Sequence, residues 1–273
     1  ILSGAVIERI RVSAFLILTV FLGSVVWILA GAWGWHPDGW LLTKLGYHDV
    51  GASGVVHAVA GFFTLGVLIN LGPRVGKFIN GVAQTIAPHS LPMTLIGLMM
   101  IIFGFFGFLG GCIIFNGGET GWTTIYNNPT NLSAFAFNTL MGFAGGVLGC
   151  YMASRDPFWT MSGGLVGIIS VAAGLDLYDP ELAFIIAVVT GIMAVKVAKI
   201  VENFGIDDAV GAVAVHGFTG VWAVFLVGVF AYGMPNVGDL PPISFVGQTI
   251  GAIVMAAVGF IPGYAISWVL KKA

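Results

Sequence analysis

Long apolar runs decide what this chain can fold into. A helix that crosses a bilayer needs about 20 mostly apolar residues. The sequence contains eight such runs, at residues 12–32, 52–71, 91–115, 132–153, 158–174, 182–201, 209–233 and 243–270. The strands of membrane β-barrels alternate in short segments of about 10 residues, whereas these runs are longer and continuously apolar. We therefore predict an all-α polytopic membrane protein with eight spanning helices, in a single transmembrane domain at residues 1–273.

Composition excludes most other classes of protein. Only 8% of the residues are charged, against about 25% in soluble domains, and disorder requires the opposite composition. The net charge of -2 and the lack of a basic run argue against nucleic-acid binding. The two cysteines, Cys112 and Cys150, suggest neither a disulfide framework nor a metal site. Because no catalytic motif falls within the runs, we expect neither an enzyme nor a cofactor.

Basic residues orient the predicted helices. If the eight runs alternate in direction, nine of the ten Lys and Arg residues fall on one side, and Lys44 is the exception. Cytoplasmic loops carry the excess of Lys and Arg, so we predict a cell-membrane protein with both ends of this chain in the cytoplasm. The apolar residues 1–7, which lead into Glu8 and Arg9, resemble the inner end of an earlier helix, and we interpret the chain as a fragment.

Two segments of the chain share one sequence pattern and are predicted to enter the bilayer from opposite sides. An Asp precedes a His by eight residues twice, at Asp49 and His57 and at Asp208 and His216, and a Gly follows each His by four residues. Since the two runs enter the bilayer from opposite sides, the pattern indicates an inverted repeat. Eight helical residues rise about 12 Å, close to half the hydrocarbon thickness of about 30 Å. The sequence therefore predicts two histidines near the midplane that share a hydrogen bond and present a polar edge to a small solute.

Simpler interpretations of these residues remain open. Each Asp could be an ordinary helix cap, and each His could be a packing residue. We predict that the other histidines, His36, His48 and His89, lie solvated in loops.

Several motifs resemble the ammonium transporter/methylammonium permease/Rh family, on its ammonium-transporter side. The matching segments occur in family order at residues 2–9, 49–57, 71–74, 88–94, 105–108 and 207–217. The resemblance implies a trimeric fold of eleven spanning helices, built from two inverted halves of five helices and a final helix. The eight runs found here would then correspond to the fourth through eleventh helices.

The resemblance also implies roles for individual residues. Trp35 is similar to the tryptophan of the outer ammonium-recruitment site, and Asp49 to the acidic residue that supports it. Phe108 resembles the inner phenylalanine of the pore gate, and His57 and His216 resemble the twin histidines of the pore. The outer phenylalanine of that gate falls before Ile1.

Three positions depart from the family motif. Cys112 replaces the serine that helps to receive ammonium, Phe105 replaces a tryptophan beside the pore, and Leu109 replaces an asparagine. A thiol is a weaker hydrogen-bond partner than a hydroxyl, so we expect weaker recruitment at a site made of Trp35, Phe108 and Cys112. Phe105 is grouped with the histidines as a pore residue.

The function implied by this resemblance is transport of ammonium or ammonia across the membrane. Family members form homotrimers and are blocked by a cytoplasmic PII-type regulator. Two alternatives remain: a membrane sensor module of the same fold that binds ammonium and signals, and an Rh-like neutral-gas channel.

Overall fold

A computed structural model describes residues 1–117, 121–236 and 239–272. The helices of these residues are α1 (Leu2–Ala5), α2 (Val12–Gly34), α3 (Trp40–Leu45), α4 (Ser53–Leu71), α5 (Leu91–Gly110), α6 (Leu132–Ser154), α7 (Pro157–Ala172), α8 (Pro180–Asn203), α9 (Val213–Phe230) and α10 (Phe245–Lys272). Two antiparallel sheets contain the short strands β1 (Phe78–Ile79), β2 (Val82–Ala83), β3 (Ile113–Phe115), β4 (Trp122–Thr124) and β5 (Pro129–Thr130).

The predicted all-α membrane fold is confirmed. Within the described ranges, seven helices are long and apolar enough to span a membrane: α2, α4, α5, α6, α8, α9 and α10. The fifth predicted run forms α7, which has 16 residues and therefore measures about 24 Å. Most of α7 is buried among other helices. It therefore packs mainly against protein and does not need the length of a helix that faces lipid.

Two of the predicted runs extend past the helices they form. The run at residues 91–115 leaves the helix at Gly110, and β3 follows and pairs with β4, with Ile113 opposite Thr124. Successive glycines and then β-branched isoleucines favour this change from helix to strand. The run at residues 209–233 becomes helical at Val213, after the left-handed residue Gly211, and ends at Phe230.

Small residues let the helices pack closely, as is usual in membranes. On α6, a Cβ added to Gly146 would collide with the backbone of Gly163 and Gly167 on α7. On α10, a Cβ at Gly263 would collide with the backbone of Phe63 on α4. The abundance of glycine therefore reflects backbone-to-backbone contact between helices.

Hydrogen bonds between loops define two ends of the molecule. At one end, here called the Arg9 face, Arg9 Nε donates to the Gly72 carbonyl at 2.8 Å. At the other end, the Trp35 face, the indole of Trp35 donates to the Asp49 carbonyl at 2.8 Å. Each of these hydrogen bonds joins two segments that the predicted alternation of helix direction places on the same side. The assignment of the Arg9 face to the cytoplasm remains a prediction.

Asp207 is the centre of the Arg9 face. Its carboxylate accepts hydrogen bonds from the Arg74 main-chain N at 2.8 Å, Nε at 2.9 Å and Nη2 at 3.0 Å. Arg9 lies 3.6 Å away, and the Asp207 side chain is fully buried. Burial alone would raise the pKa of Asp207, but the hydrogen bonds and charges of Arg74 and Arg9 outweigh it, so the pKa lies below its ordinary value of 3.8.

We expect Asp207→Asn to destabilise the protein by about 3 kcal/mol, because it removes the buried carboxylate that pairs with both Arg74 and Arg9. A carboxylate with a lowered pKa stabilises the fold above its unfolded pKa, and this contribution disappears as the pH falls through the folded value. The difference in thermal unfolding between wild type and variant should therefore shrink below about pH 4.

Asp38→Asn is the matched control, since the Asp38 side chain is 93% exposed. It should leave the unfolding temperature unchanged. Equal effects of the two substitutions would show that the Asp207 network contributes nothing to stability.

Candidate functional site

Helices α4 and α9 begin in the same way. The Asp49 carboxylate accepts hydrogen bonds from the main-chain N–H groups of Gly54 and Val55, each at 2.8 Å. The Asp208 carboxylate accepts from the N–H of Val213 at 2.6 Å. The helix-cap interpretation is therefore confirmed for both aspartates.

The likeness continues into the first turns of the two helices. A left-handed residue follows each Asp by three positions, Ala52 with φ 67° and Gly211 with φ 70°. Each helix then opens with a π-helical segment, Ser53–Ala58 in α4 and Val213–Phe218 in α9. Each predicted histidine lies within its π segment, a backbone form often found at functional sites.

The glycines that follow the histidines allow α4 and α9 to cross in contact. A Cβ on Gly61 would collide with the main chain of Gly217, and a Cβ on Gly220 would collide with the main chain of Ser53 and Ala58. The predicted pair of glycines is therefore explained by close approach of the two backbones.

The two histidines meet where these helices cross. His57 Nδ1 lies 3.1 Å from His216 Nδ1, and the rings stack with centroids 5.2 Å apart and an interplanar angle of 14°. A hydrogen bond between these atoms requires opposite tautomers, with one Nδ1 donating and the other accepting. One Nε2 of the pair is then a donor and the other an acceptor, so the predicted shared hydrogen bond is confirmed in geometry.

Aromatic rings cover the His57 side of the pair. Phe105 stacks on His57 with centroids 5.8 Å apart, and Phe108 meets the same ring edge-on at 6.4 Å. A cavity of about 210 Å³ is lined by Val56, His57, Ile101, Gly104, Phe105 and Phe108. His57 Nε2 is buried and has no hydrogen-bond partner among the described residues. The imidazole therefore offers one free polar atom beside an apolar cavity.

Trp35 and Asp49 are held together on the Trp35 face. The indole N–H donates to the Asp49 carbonyl oxygen at 2.8 Å, and Trp35 is half-buried. The Asp49 carboxylate also accepts from the Tyr47 hydroxyl at 3.2 Å. Burial raises the pKa of Asp49 and outweighs the lowering effect of its hydrogen bonds. Asp49 thus positions Trp35 through the backbone while its side chain caps α4.

Cys112 lies one turn after Phe108. Its thiol donates to the Phe108 carbonyl at 3.5 Å and is buried. Burial, with a smaller contribution from the charge of Asp49, raises the pKa of Cys112 to about 12, so the thiol is neutral near pH 7. Within the described ranges, Trp35 makes no ring contact with Phe105 or Phe108.

One predicted loop histidine is not solvated. His48 is fully buried, and its Nε2 lies 3.0 Å from the Asp176 carboxylate, so that prediction is wrong for His48 and holds for the exposed His36 and His89. The sequence could not reveal the pair because its members are 128 residues apart.

Tyr126 is a further residue that sequence reasoning missed. Its hydroxyl donates to the Gly34 carbonyl at 3.2 Å and accepts from the Asp49 main-chain N–H at 3.2 Å. It therefore joins the end of α2 to the start of α4, and no local motif marks it. Where the chain is described, no group of three or more His, Cys, Asp or Glu side chains could hold a metal ion.

A model of the Ammonium Transporter Family matches residues 1–273. The chain belongs to this family. Ammonium transporter Amt2 of Methanocaldococcus jannaschii is 31% identical, over 100% of this chain and 61% of that protein. Ammonium transporter Amt1 of the same organism is 32% identical, over 97% of this chain and 65% of that protein. The chain thus spans less than two thirds of these relatives.

Solved structures agree with this family assignment. A sensor Amt protein is 28% identical, with a TM-score of 0.86 over 100% of this chain and 68% of that one. Mep2 of Candida albicans, at 22% identity, has a TM-score of 0.81 over 97% of this chain and 59% of that one. The second likeness concerns the fold alone.

We expect Gly220→Ala to lower the thermal stability of this ammonium transporter family member by about 1–3 kcal/mol, because the added methyl group overpacks the crossing of α4 and α9. Gly97→Ala on α5 is the control, since nothing lies within 4 Å of a Cβ there. It should not lower stability and should raise it by up to about 1 kcal/mol, because alanine is the better helix former. Unfolding in detergent, followed by intrinsic fluorescence, measures both variants. A Gly220 variant as stable as the Gly97 variant would contradict the close crossing.

Proposed function

We propose that the protein moves ammonium across the cell membrane and that the species that crosses the bilayer centre is ammonia. The observation that carries this proposal is the hydrogen bond between His57 and His216, beside an apolar cavity at the crossing of α4 and α9. A neutral pair of imidazoles can accept a hydrogen bond from ammonia and donate one to it. Family membership and fold support the same substrate.

Selectivity follows from what the cavity lacks. Apart from His57, the cavity lining is apolar, and it provides no ring of carbonyls or carboxylates that could replace the water shell of a cation. Removing the water shell of K⁺ or ammonium there costs much free energy, whereas moving neutral ammonia from water into the cavity costs little. Ammonium must therefore give up a proton before the histidines. Each neutral imidazole carries one donor and one acceptor nitrogen, so the pair is also suited to proton relay.

Recruitment of ammonium is assigned to Trp35, Phe108 and Cys112 on the Trp35 face, with Asp49 as the supporting acidic residue. A cation over the indole face gains about 0.5–2 kcal/mol. The Asp49 carbonyl fixes the indole through its N–H, and the neutral thiol of Cys112 provides a weak polar contact. Phe105 and Phe108 then separate this site from the histidines.

We also propose how the protein is oriented, how it assembles and which regulator it binds. We place the Arg9 face in the cytoplasm because it carries most of the basic residues. We also treat the described residues as one transmembrane domain that forms homotrimers, with a PII-type regulator as the partner of the Arg9 face.

The decisive test replaces both His57 and His216 with Leu in the full-length protein, reconstituted in liposomes. We expect ammonium uptake to fall at least tenfold, because the polar side chain that lines the cavity and its hydrogen-bond partner are both lost, or discrimination against K⁺ to collapse. Ammonium-evoked currents and internal pH changes measure the two effects. Uptake and selectivity equal to wild type would exclude a role for the pair.

Recruitment has a separate test. Trp35→Leu should raise the half-saturating ammonium concentration by about 2- to 30-fold, which is the loss of one cation–π contact. Cys112→Ser should lower it, since a hydroxyl is the better hydrogen-bond partner. Trp27→Leu is the control, since this tryptophan is 41% exposed on α2. A Trp35 variant with unchanged half-saturation would refute the assigned site.

A sensor function is the second candidate, favoured by the likeness to a sensor Amt protein. The same uptake assay separates the two functions. Binding of ammonium without uptake by the wild-type protein would favour sensing over transport.

A further inference from the structure

The Tyr126 hydroxyl lies between the two chain segments that hold Trp35. It donates to the Gly34 carbonyl at 3.2 Å and accepts from the Asp49 main-chain N–H at 3.2 Å. Gly34 directly precedes Trp35, and the Trp35 indole donates to the Asp49 carbonyl at 2.8 Å. The three hydrogen bonds therefore form a closed ring, which runs from the main chain of Trp35 through Tyr126 and the main chain of Asp49 to the indole.

Both backbone groups that contact the hydroxyl are buried, and neither has a partner within a helix. Gly34 is the last residue of α2, so its carbonyl is one of those that a helix leaves without an internal partner. Asp49 lies between α3 and α4 and is fully buried. A buried backbone group without a partner is costly. Because a hydroxyl can donate and accept at the same time, Tyr126 satisfies the carbonyl and the N–H together.

A tight turn fixes Tyr126 itself. The Thr124 main-chain N–H donates to the Asn128 carbonyl at 2.8 Å. The Thr124 hydroxyl accepts from the main-chain N–H groups of Tyr126 and Asn128, each at 3.2 Å. Tyr126 is 4% exposed, and its ring centroid lies 5.0 Å from that of His48. The turn and the buried ring together leave the hydroxyl little freedom to move.

The same turn is bonded to Cys112. The main-chain N–H of Ile125, the residue before Tyr126, donates to the Cys112 carbonyl at 3.2 Å. Strands β3 and β4 continue this pairing, with Ile113 opposite Thr124. Tyr126 thus connects Trp35 with the segment that carries Cys112, and these are two of the three residues to which recruitment is assigned.

We propose that Tyr126 is a positioning residue of the recruitment site and that its hydroxyl holds the Trp35 indole in place relative to Cys112. This inference rests on the recruitment site proposed above. A cation–π contact requires the cation over the face of the ring, within about 6 Å of its centroid, so a tilt of the indole weakens the contact. Because the hydroxyl is bonded to two backbone groups, Tyr126 acts through them and not on ammonium directly.

Tyr126→Phe in the full-length protein, reconstituted in liposomes, tests the proposal. It removes both hydrogen bonds of the hydroxyl and keeps the ring that packs beside His48. The half-saturating ammonium concentration should rise about 2- to 10-fold, which is part of the loss expected for Trp35→Leu. The maximal uptake rate should stay within about twofold of wild type, because the histidine pair is unchanged. A purely structural role would instead lower the amount of folded protein, and with it the maximal rate, without changing half-saturation.

Three further variants sharpen the test. In a Trp35→Leu background, Tyr126→Phe should cause no further rise in half-saturation, since the hydroxyl acts through the indole. Tyr232→Phe is the matched control and should behave as wild type, because this tyrosine is 70% exposed beyond the end of α9. Thr124→Val loosens the turn but keeps the Tyr126 hydroxyl. It should raise half-saturation in the same direction, and it replaces Tyr126→Phe if that variant does not fold.

The possible outcomes separate this inference from the function on which it rests. If Trp35→Leu leaves half-saturation unchanged, the recruitment site is wrong and Tyr126 has no indole to position. If Trp35→Leu raises half-saturation and neither Tyr126→Phe nor Thr124→Val does, the recruitment site stands and the role of Tyr126 is refuted. An equal rise on Tyr126→Phe with and without Trp35 would refute that role as well. Equilibrium binding of ammonium gives the same comparison if the protein is a sensor.

Discussion

The hydrogen bond between His57 and His216 is the interaction on which the arrangement of the helices depends. A polar ring inside the bilayer is costly unless it finds a partner, and each histidine supplies the partner of the other at 3.1 Å. The bond can form only if α4 and α9 touch, which requires glycine at both crossing points. It also requires both rings at one depth, and the matching Asp caps and π-helical openings provide this.

Different interactions stabilise the two faces of the molecule. On the Arg9 face, opposite charges converge on the buried Asp207. On the Trp35 face, neutral donors from Trp35 and Tyr47 converge on Asp49. Charged pairs respond to pH and salt, whereas the bond from the Trp35 indole to the Asp49 main-chain carbonyl joins two groups that do not titrate. The position of Trp35, where ammonium is proposed to bind, therefore depends on a bond that contains no charged group.

Local patterns could be predicted from the sequence, and long-range contacts could not. The apolar runs located the helices because lipid demands about 20 apolar residues whatever they pack against. The Asp-to-His spacing pointed to the histidine pair because it is the same in both segments, although the helices begin only at Ser53 and Val213, so about half of the eight residues are helical. The burial of His48 depends on Asp176, which is far away in the chain, and no periodicity encodes such a contact. The strand β3 was missed because its isoleucines are as apolar as the helix before it.

The Nδ1-to-Nδ1 contact makes the histidine pair asymmetric. One proton lies between the rings, so the outer nitrogens are unlike: one can only give a hydrogen bond and the other can only receive one. A neutral molecule that slides past leaves this arrangement as it found it. A proton handed along the rings instead reverses the arrangement, and both imidazoles must then exchange tautomers before a second proton can follow in the same sense. A proton relay through this contact would therefore need a tautomer exchange after each proton, whereas passage of a neutral molecule would not.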